Sequence, residues 1–164
     1  MPLDGITLGF IARELNEQLA GARIERITQP EKDMLLIFVR NNGKNHKLLL
    51  SASPGFARAH VTEGQYINPM EAPMFCMLMR KHITGGRIAA IRQISCDRIL
   101  EIEIEHYDEL GDRATKKLIC EFMGKHSNII FVGADGRIID SARRVSETMS
   151  SVREVLPGLR YEDP

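Results

Sequence analysis

Apolar side chains recur at helical spacing from the start of the chain. Leu8, Ile11, Ala12, Leu15 and Leu19 line one face of residues 4–19, polar residues fill the other, and Gly21 closes the segment. Asp4 stands where a helix cap belongs. From Ala22 the period changes toward strands: Ile24 and Ile27, then residues 34–39, then residues 47–50. Turn-forming clusters separate them at 29–33 and at Asn41, Asn42 and Gly43, so a three-stranded meander is predicted. Residues 51–69 are rich in Ser, Pro and Gly and long for a plain connection, so they hold either a short strand over 58–62 or a functional loop.

A second helix is predicted over residues 70–83. Pro73 falls in its first turn, Arg80, Lys81 and His82 in its last, and Gly85 and Gly86 at its stop. Met70, Met74, Phe75, Met77, Leu78 and Met79 make it apolar nearly all round. We read it as a core helix, which predicts that truncating Met77 or Leu78 destabilises the fold; the alternative is an adaptable contact surface. The remainder alternates as strands over 87–94, 98–106, 115–123, 128–132 and 137–142, with Asp135 and Gly136 as a tight turn. In the second of these, Leu100, Ile102 and Ile104 share one face while Glu101, Glu103 and Glu105 share the other, as a half-wet antiparallel strand requires. About eight strands and two helices define an α+β fold: antiparallel sheets packed as a sandwich or flattened barrel, flanked by the two helices, in a single domain over 1–164. Residues 155–164, with the turn at Leu156, Pro157 and Gly158, read as the exit into a longer chain.

Composition narrows the class. With 164 residues, 43% apolar and 27% charged, the chain can bury a core without staples. No apolar run approaches the roughly 20 residues of a membrane helix, and the N-terminal stretch carries Asp4 but no Lys or Arg, unlike a secretory signal. A cytoplasmic location with no membrane contact is expected. Cys76, Cys96 and Cys120 are far apart and lack metal or redox spacing, so they are expected to be small buried hydrophobes. Net charge is zero, which does not advertise a nucleic-acid binder. Locally, however, residues 72–96 hold no acid while containing Arg80, Lys81, His82, Arg87 and Arg92. Residues 97–112 reverse this, with seven acids against Arg98 alone. A polarised surface follows if the fold separates the two stretches, with Arg80, Lys81, Arg87 and Arg92 as a basic, RNA-facing side.

Enzyme templates come up empty. There is no GxSxG, no HExxH, no phosphate-binding glycine loop and no GxGxxG, and the five histidines show no metal spacing. Asp108, Glu109 and Asp112 bracket Leu110 and Gly111 without the alternating ligands and closing Glu of a calcium loop, so a solvated acidic turn is expected. No catalytic residue, cofactor or metal is therefore assigned. Two loops hold recognition chemistry. On the turn Ser95, Cys96, Asp97, Arg98, a carboxylate acceptor and a guanidinium fork can aim at one ligand; ordinary turn chemistry is the competing account. The loop Met123, Gly124, Lys125, His126, Ser127, Asn128 is rich in donors, and an ordinary polar loop is again the alternative.

These residues resemble a known family. The string from Pro73 to His82 followed by Gly85, Gly86, Arg87 and Ile88, the pair Asp97, Arg98, the acidic turn 108–112, the loop 123–128 and the run from Arg153 to Gly158 are similar to the signature of the NFACT N-terminal domain. The lineage includes RqcH, NEMF and fibronectin-binding protein A, and the likeness runs from Leu3 to Tyr161. The resemblance implies a longer parent with a helix-hairpin-helix segment, coiled coils and a further RNA-binding domain. Its partners would be tRNA, alanine tRNA in bacteria, and a large ribosomal subunit obstructed by peptidyl-tRNA. Its role would be to support template-free C-terminal alanine tailing of stalled chains, peptide-bond formation belonging to the ribosome. The resemblance implies that this domain contacts the tRNA, and the residues implicated in tailing map onto Asp4, Asp97 and Arg98, although a cap role competes at Asp4; Lys125 and His126 are added as RNA contacts from charge and position. An alternative is a surface adhesin with fibronectin as partner. The family fold also resembles the N-terminal domain of formamidopyrimidine-type DNA glycosylases, whose nucleophile is an N-terminal proline. Here Leu3 rather than Glu follows Pro2, which speaks against that chemistry.

Overall fold

The computed structural model describes residues 3–146, 148 and 153–164. Helix α1 (Gly5–Leu19) leads into strands β1 (Arg23–Glu31), β2 (Met34–Asn41), β3 (Lys44–Ser53) and β4 (Phe56–Thr62). Helix α2 (Met74–Ile83) follows, then β5 (Arg87–Gln93), β6 (Ile99–Tyr107), β7 (Arg113–Glu121), β8 (Asn128–Val132) and β9 (Ile138–Ser141). Among the described residues the nine strands form one antiparallel sheet, ordered β4-β3-β2-β1-β5-β6-β7-β8-β9.

That sheet is nearly two. β1 and β5 share the single register pair Arg23 and Arg87, supported by backbone bonds such as Gly85 N–H to Ile24 O (2.8 Å). The halves on either side fold over one apolar cluster, bringing β3 opposite β7 and β8. α1 packs on β5 and on the edge strand β4, while α2 packs on β1 and reaches the other edge strand, β9. Each helix thus covers a seam that the sheet leaves open, completing a flattened barrel of the α+β class.

Local chemistry explains the elements. Asp4 caps α1, its Oδ1 accepting from Thr7 N–H at 2.7 Å. Asn42 and Gly43, both at positive φ, form the two-residue turn between β2 and β3. The strand considered within residues 51–69 exists and is longer, Phe56–Thr62, pairing fully with β3. Buried Leu100, Ile102 and Ile104 fall on the core face of β6.

Three expectations change. α2 begins at Met74, not at residue 70, and buries only Phe75, Cys76, Met79 and Ile83. Met77 is 58% exposed and Leu78 half-buried, so the helix is amphipathic and its outer face is apolar surface rather than core. Met79→Ala should therefore lower stability by about 2–5 kcal/mol, while Met77→Ala changes it by about 0.5 kcal/mol or less, compared by thermal unfolding. Cys76 and Cys120 are buried as expected, but Cys96 is exposed on a turn. Nor are the basic and acidic stretches kept apart. Antiparallel pairing of β5 with β6 sets Arg92 opposite Glu101 and Arg87 opposite Glu105. The Arg92 guanidinium bridges Glu101 and Glu103 at 2.7 Å each, and Lys117 reaches Glu101 at 3.1 Å.

Two smaller apolar clusters lie beyond the main one. Met34, Leu36 and Leu49, with Phe38 and Tyr66 against them, form one. Ile99, Ile119, Ile130, Val132, Ile138 and Val155 form the other, with Tyr161 packed on it. Residues 153–161 therefore do more than leave the domain. They bridge back through Val145–Val155 and Arg137–Arg160, and Ile138 N–H donates to Leu159 O.

Candidate nucleic-acid interface

The β5–β6 turn is built to present its side chains. Asp97 N–H donates to Ile94 O at 3.2 Å, Ser95 adopts φ +55°, and Asp97 Oδ1 accepts from Arg98 N–H at 2.8 Å. The carboxylate thus fixes its own turn while keeping a second oxygen exposed to solvent. Among the described residues no hydrogen bond or ion pair engages the Arg98 guanidinium.

Against this turn sits the start of α1. Gln93 Nε2 donates to both Gly5 O and Asp97 O, each at 2.7 Å, pinning helix and turn through one side chain. At Gly5 the approach requires glycine, because a Cβ there would lie 2.5 Å from the backbone Cys96 O; a Cβ at Gly9 would lie 2.9 Å from Gln93 Oε1 and displace that side chain. Glycine inside a helix costs about 1 kcal/mol relative to alanine. Here that cost permits the contact that sets Asp4 beside the Asp97 turn. The Thr7 backbone N–H holds the Asp4 carboxyl below the usual carboxylate range, so the residue is charged at neutral pH.

The second loop reaches the same end of the sheet because β6 and β7 are antiparallel neighbours. Ile99 pairs with Glu121, and Phe122 N–H donates to Arg98 O at 2.9 Å. A short 3-10 turn, Gly124–His126, then carries Lys125 and His126, both exposed. Ser127 Oγ accepts from Met123 N–H, and Arg143 Nη1 donates to Lys125 O at 2.7 Å. Buried Asn128 in turn accepts from Arg143 N–H and donates to Arg143 O.

Beneath the rim lies a buried ion pair. Glu121 is fully buried, and Arg153 contacts both its oxygens, Nη2 to Oε1 at 2.5 Å and Nη1 to Oε2 at 2.9 Å. Tyr161 donates its hydroxyl to Oε2 at 2.7 Å. Burial and the adjacent carboxylate push the Tyr161 pKa up, and the bond to Glu121 raises that of Arg153, so the phenol stays protonated and the guanidinium charged across ordinary pH.

The structure thus places Asp4, Asp97 and Arg98 together, with Lys125 and His126 across β6 and β7. It does not gather the expected basic surface: Arg92 is spent on two glutamates, Arg87 Nη1 binds Gly21 O, and Arg80 Nε binds Ile27 O at 2.8 Å. Lys81 is exposed on α2. Sequence reasoning missed Gln93, Gly5 and Gly9. Two glycines four apart in an amphipathic helix were the available signal. Pro2 lies outside the described residues. Among the described residues no group of His, Cys, Asp or Glu could hold a metal ion, and no helix is long and apolar enough to cross a membrane.

The charged, hydrogen-bonding rim thus sits on an α+β scaffold. The chain belongs to the family of NFACT N-terminal and middle domains, whose model matches residues 4–164. It is 47% identical over its whole length to the Rqc2 homolog RqcH of Bacillus subtilis, and 26% identical over 93% of its length to the human ribosome quality control complex subunit NEMF. It spans 29% of the former and 14% of the latter. Among solved structures it matches the N-terminal domain of the fibronectin-binding protein PavA from Streptococcus pneumoniae with a TM-score of 0.94 at 39% identity, covering 98% of this chain and 61% of that one. The N-terminal part of the fibronectin/fibrinogen-binding protein from Streptococcus suis gives the same score at 40% identity, covering 99% and 61%.

Proposed function

We propose that this chain is the tRNA-handling domain of a cytoplasmic ribosome quality control factor, which binds tRNA and the obstructed large ribosomal subunit and supports template-free C-terminal tailing, with alanine in a bacterial setting. The observation that carries the reading is the convergence of Asp4 with the adjacent pair Asp97 and Arg98, distant in sequence, on one rim through Gln93 and Gly5. A guanidinium fork beside two carboxylates offers bidentate contact to phosphate or stacking on a base, with acceptors for base amines or a 2′-hydroxyl. The names of the relatives support a ribosomal setting. The domain itself does no covalent chemistry in this reading; the ribosome makes the peptide bond. With zero net charge it binds RNA weakly alone and relies on the rest of its protein and the ribosome for effective concentration.

The test is to purify the full-length protein from cells and sequence the RNA that accompanies it. Enrichment of tRNA and large-subunit RNA, falling as salt rises, is expected. Salt-independent recovery, or recovery of no tRNA, refutes the reading. Fibronectin binding is the second reading, favoured by the likeness to the N-terminal regions of two streptococcal fibronectin-binding proteins. Capture of fibronectin by intact cells, without bound RNA, would favour it.

A further inference from the structure

A cleft of about 720 Å³ opens between the β1–β2 turn, the start of α2 and the segment after β9. Gln29, Lys32, Pro73, Met74, Arg143 and Arg144 are among the residues lining it. None belongs to the rim described above, yet Arg143 connects the two by donating to Lys125 O.

Two independent features of the cleft ask for a ligand. The first is the N-terminus of α2. Its cap is Pro73, which offers no side-chain hydrogen bond, and no acidic residue lies in the first turn. The first helical bond is Met77 N–H to Pro73 O, so the amides of Met74, Phe75 and Cys76 have no acceptor among the described residues. An uncapped helix start combines free N–H donors with the positive end of the helix dipole, the arrangement that binds phosphate. The second is Gln29, only 4% exposed. Its Nε2 donates to Lys32 O at 3.0 Å, which fixes the amide and leaves Oε1 enclosed with no partner. A buried carbonyl oxygen of this kind is costly to leave unpaired and calls for a donor.

The charges decide which ligand. Lys32, Arg143 and Arg144 face Glu31 and Asp140, and Asp140 is already occupied by Arg144 (Nε to Oδ1, 3.1 Å) and by the N–H of Ser141. Arg143 keeps a buried Nε without a partner. The cleft therefore offers donors for an anion and one acceptor for a neighbouring hydroxyl or amine. Pro73 and exposed Met74 supply an apolar wall against which a base can lie. A phosphate with a hydroxyl close by is the unit that RNA presents and DNA does not.

We propose that this cleft is a second RNA subsite, in which the α2 N-terminus and Arg143 hold a backbone phosphate while Gln29 Oε1 accepts from the adjacent 2′-hydroxyl. The proposal rests on the tRNA-handling reading and extends its footprint from the Asp97 turn past Lys125 to the start of α2.

Met74 permits a test in which structure and binding move oppositely. A carboxylate in the first turn of a helix favours the helix, so Met74→Glu leaves thermal stability unchanged or raised, while it repels phosphate. Met74→Lys does the reverse. The assay is binding of fluorescent unfractionated tRNA, and of a six-nucleotide RNA and its DNA counterpart, to the full-length protein, with thermal unfolding of each variant. Expected are an affinity at least tenfold lower for Met74→Glu, wild-type or tighter binding for Met74→Lys, and loss of the RNA-over-DNA preference in Gln29→Met. Wild-type affinity in Met74→Glu overturns the proposal. So does equal loss in both Met74 variants, which would assign the effect to the lost apolar side chain and not to charge at the helix start. An Asp97→Ala, Arg98→Ala variant run alongside separates the two readings. If it loses tRNA while Met74→Glu retains it, only the cleft falls. If the wild type binds no RNA, both fall.

Discussion

Arg153→Ala should lower the unfolding free energy by about 3–5 kcal/mol, because it leaves the Glu121 carboxylate enclosed without its bidentate partner. Glu121 is completely buried, and Arg153 is held by both its oxygens and by Glu162 O at 2.6 Å. The segment 153–161 would keep the Tyr161 hydroxyl bond to Glu121 and the packing of Val155 on the outer cluster, but lose the guanidinium fork that ties it to β7. The loop 122–127 follows directly on Glu121, the last residue of β7, so tRNA binding should weaken together with folding. Arg153→Lys, which keeps the charge but not the fork, should cost less. Unfolding curves for both, with Glu121→Gln and the Glu121→Gln, Arg153→Ala double variant, give the coupling directly. A loss below about 1 kcal/mol for Arg153→Ala would show that the segment is held by its apolar contacts instead.

Much of this scaffold can be read from local pattern. α1 was legible because apolar spacing, Asp4 and Gly21 agree, and β6 because Leu100, Ile102 and Ile104 alternate strictly with glutamates. β1 was read only in part. Irregular register between Ile24 and Arg26, and again between Thr28 and Glu31, breaks the two-residue period. The outer face of α2 misled for a different reason: Met74 and Met77 are apolar yet exposed, and periodicity cannot distinguish a buried methionine from one waiting for a partner. Charge runs misled because antiparallel pairing recombines segments that sequence keeps apart. Arg92 belongs to a basic stretch by position and to Glu101 and Glu103 by register.

The site follows the same division. Asp97 and Arg98 were visible as a turn, and Lys125 and His126 as a donor-rich loop. What could not be seen is why they meet. That depends on strand order, on Phe122 N–H reaching Arg98 O, and on Gln93 clasping Gly5 and Asp97 across 88 residues. The glycines at 5 and 9 look like poor helix choices until Cys96 O and Gln93 Oε1 are found against them. Such departures from local preference are expected where function, rather than stability, sets the residue.

Replacing Asp97 and Arg98 together by alanine should abolish tRNA recruitment and tailing while leaving the fold nearly intact. Asp97 is exposed and Arg98 half-exposed, so truncation opens no cavity. The only interactions lost within the described residues are the Asp97 Oδ1 bond to Arg98 N–H and local turn preference. Gln93 binds the Asp97 carbonyl, and Phe122 binds that of Arg98, and both survive the change. Stability should therefore shift by about 1 kcal/mol or less. Loss of a charged hydrogen bond to RNA costs about 1.5–3 kcal/mol, or roughly ten- to a hundredfold in affinity. Asp4 needs a different substitution. Asp4→Ala removes a cap worth about 1 kcal/mol and confuses the two roles, whereas Asp4→Ser keeps a capping oxygen and deletes only the charge. If Asp4 contacts RNA, or sets the field beside Arg98, Asp4→Ser should alter tRNA recovery at unchanged melting temperature. The measurements are thermal unfolding, tRNA co-purification and tailing of a stalled reporter in the full-length protein. Wild-type recovery and tailing in the double variant would remove the site, and joint loss of folding and function would return the pair to a structural role.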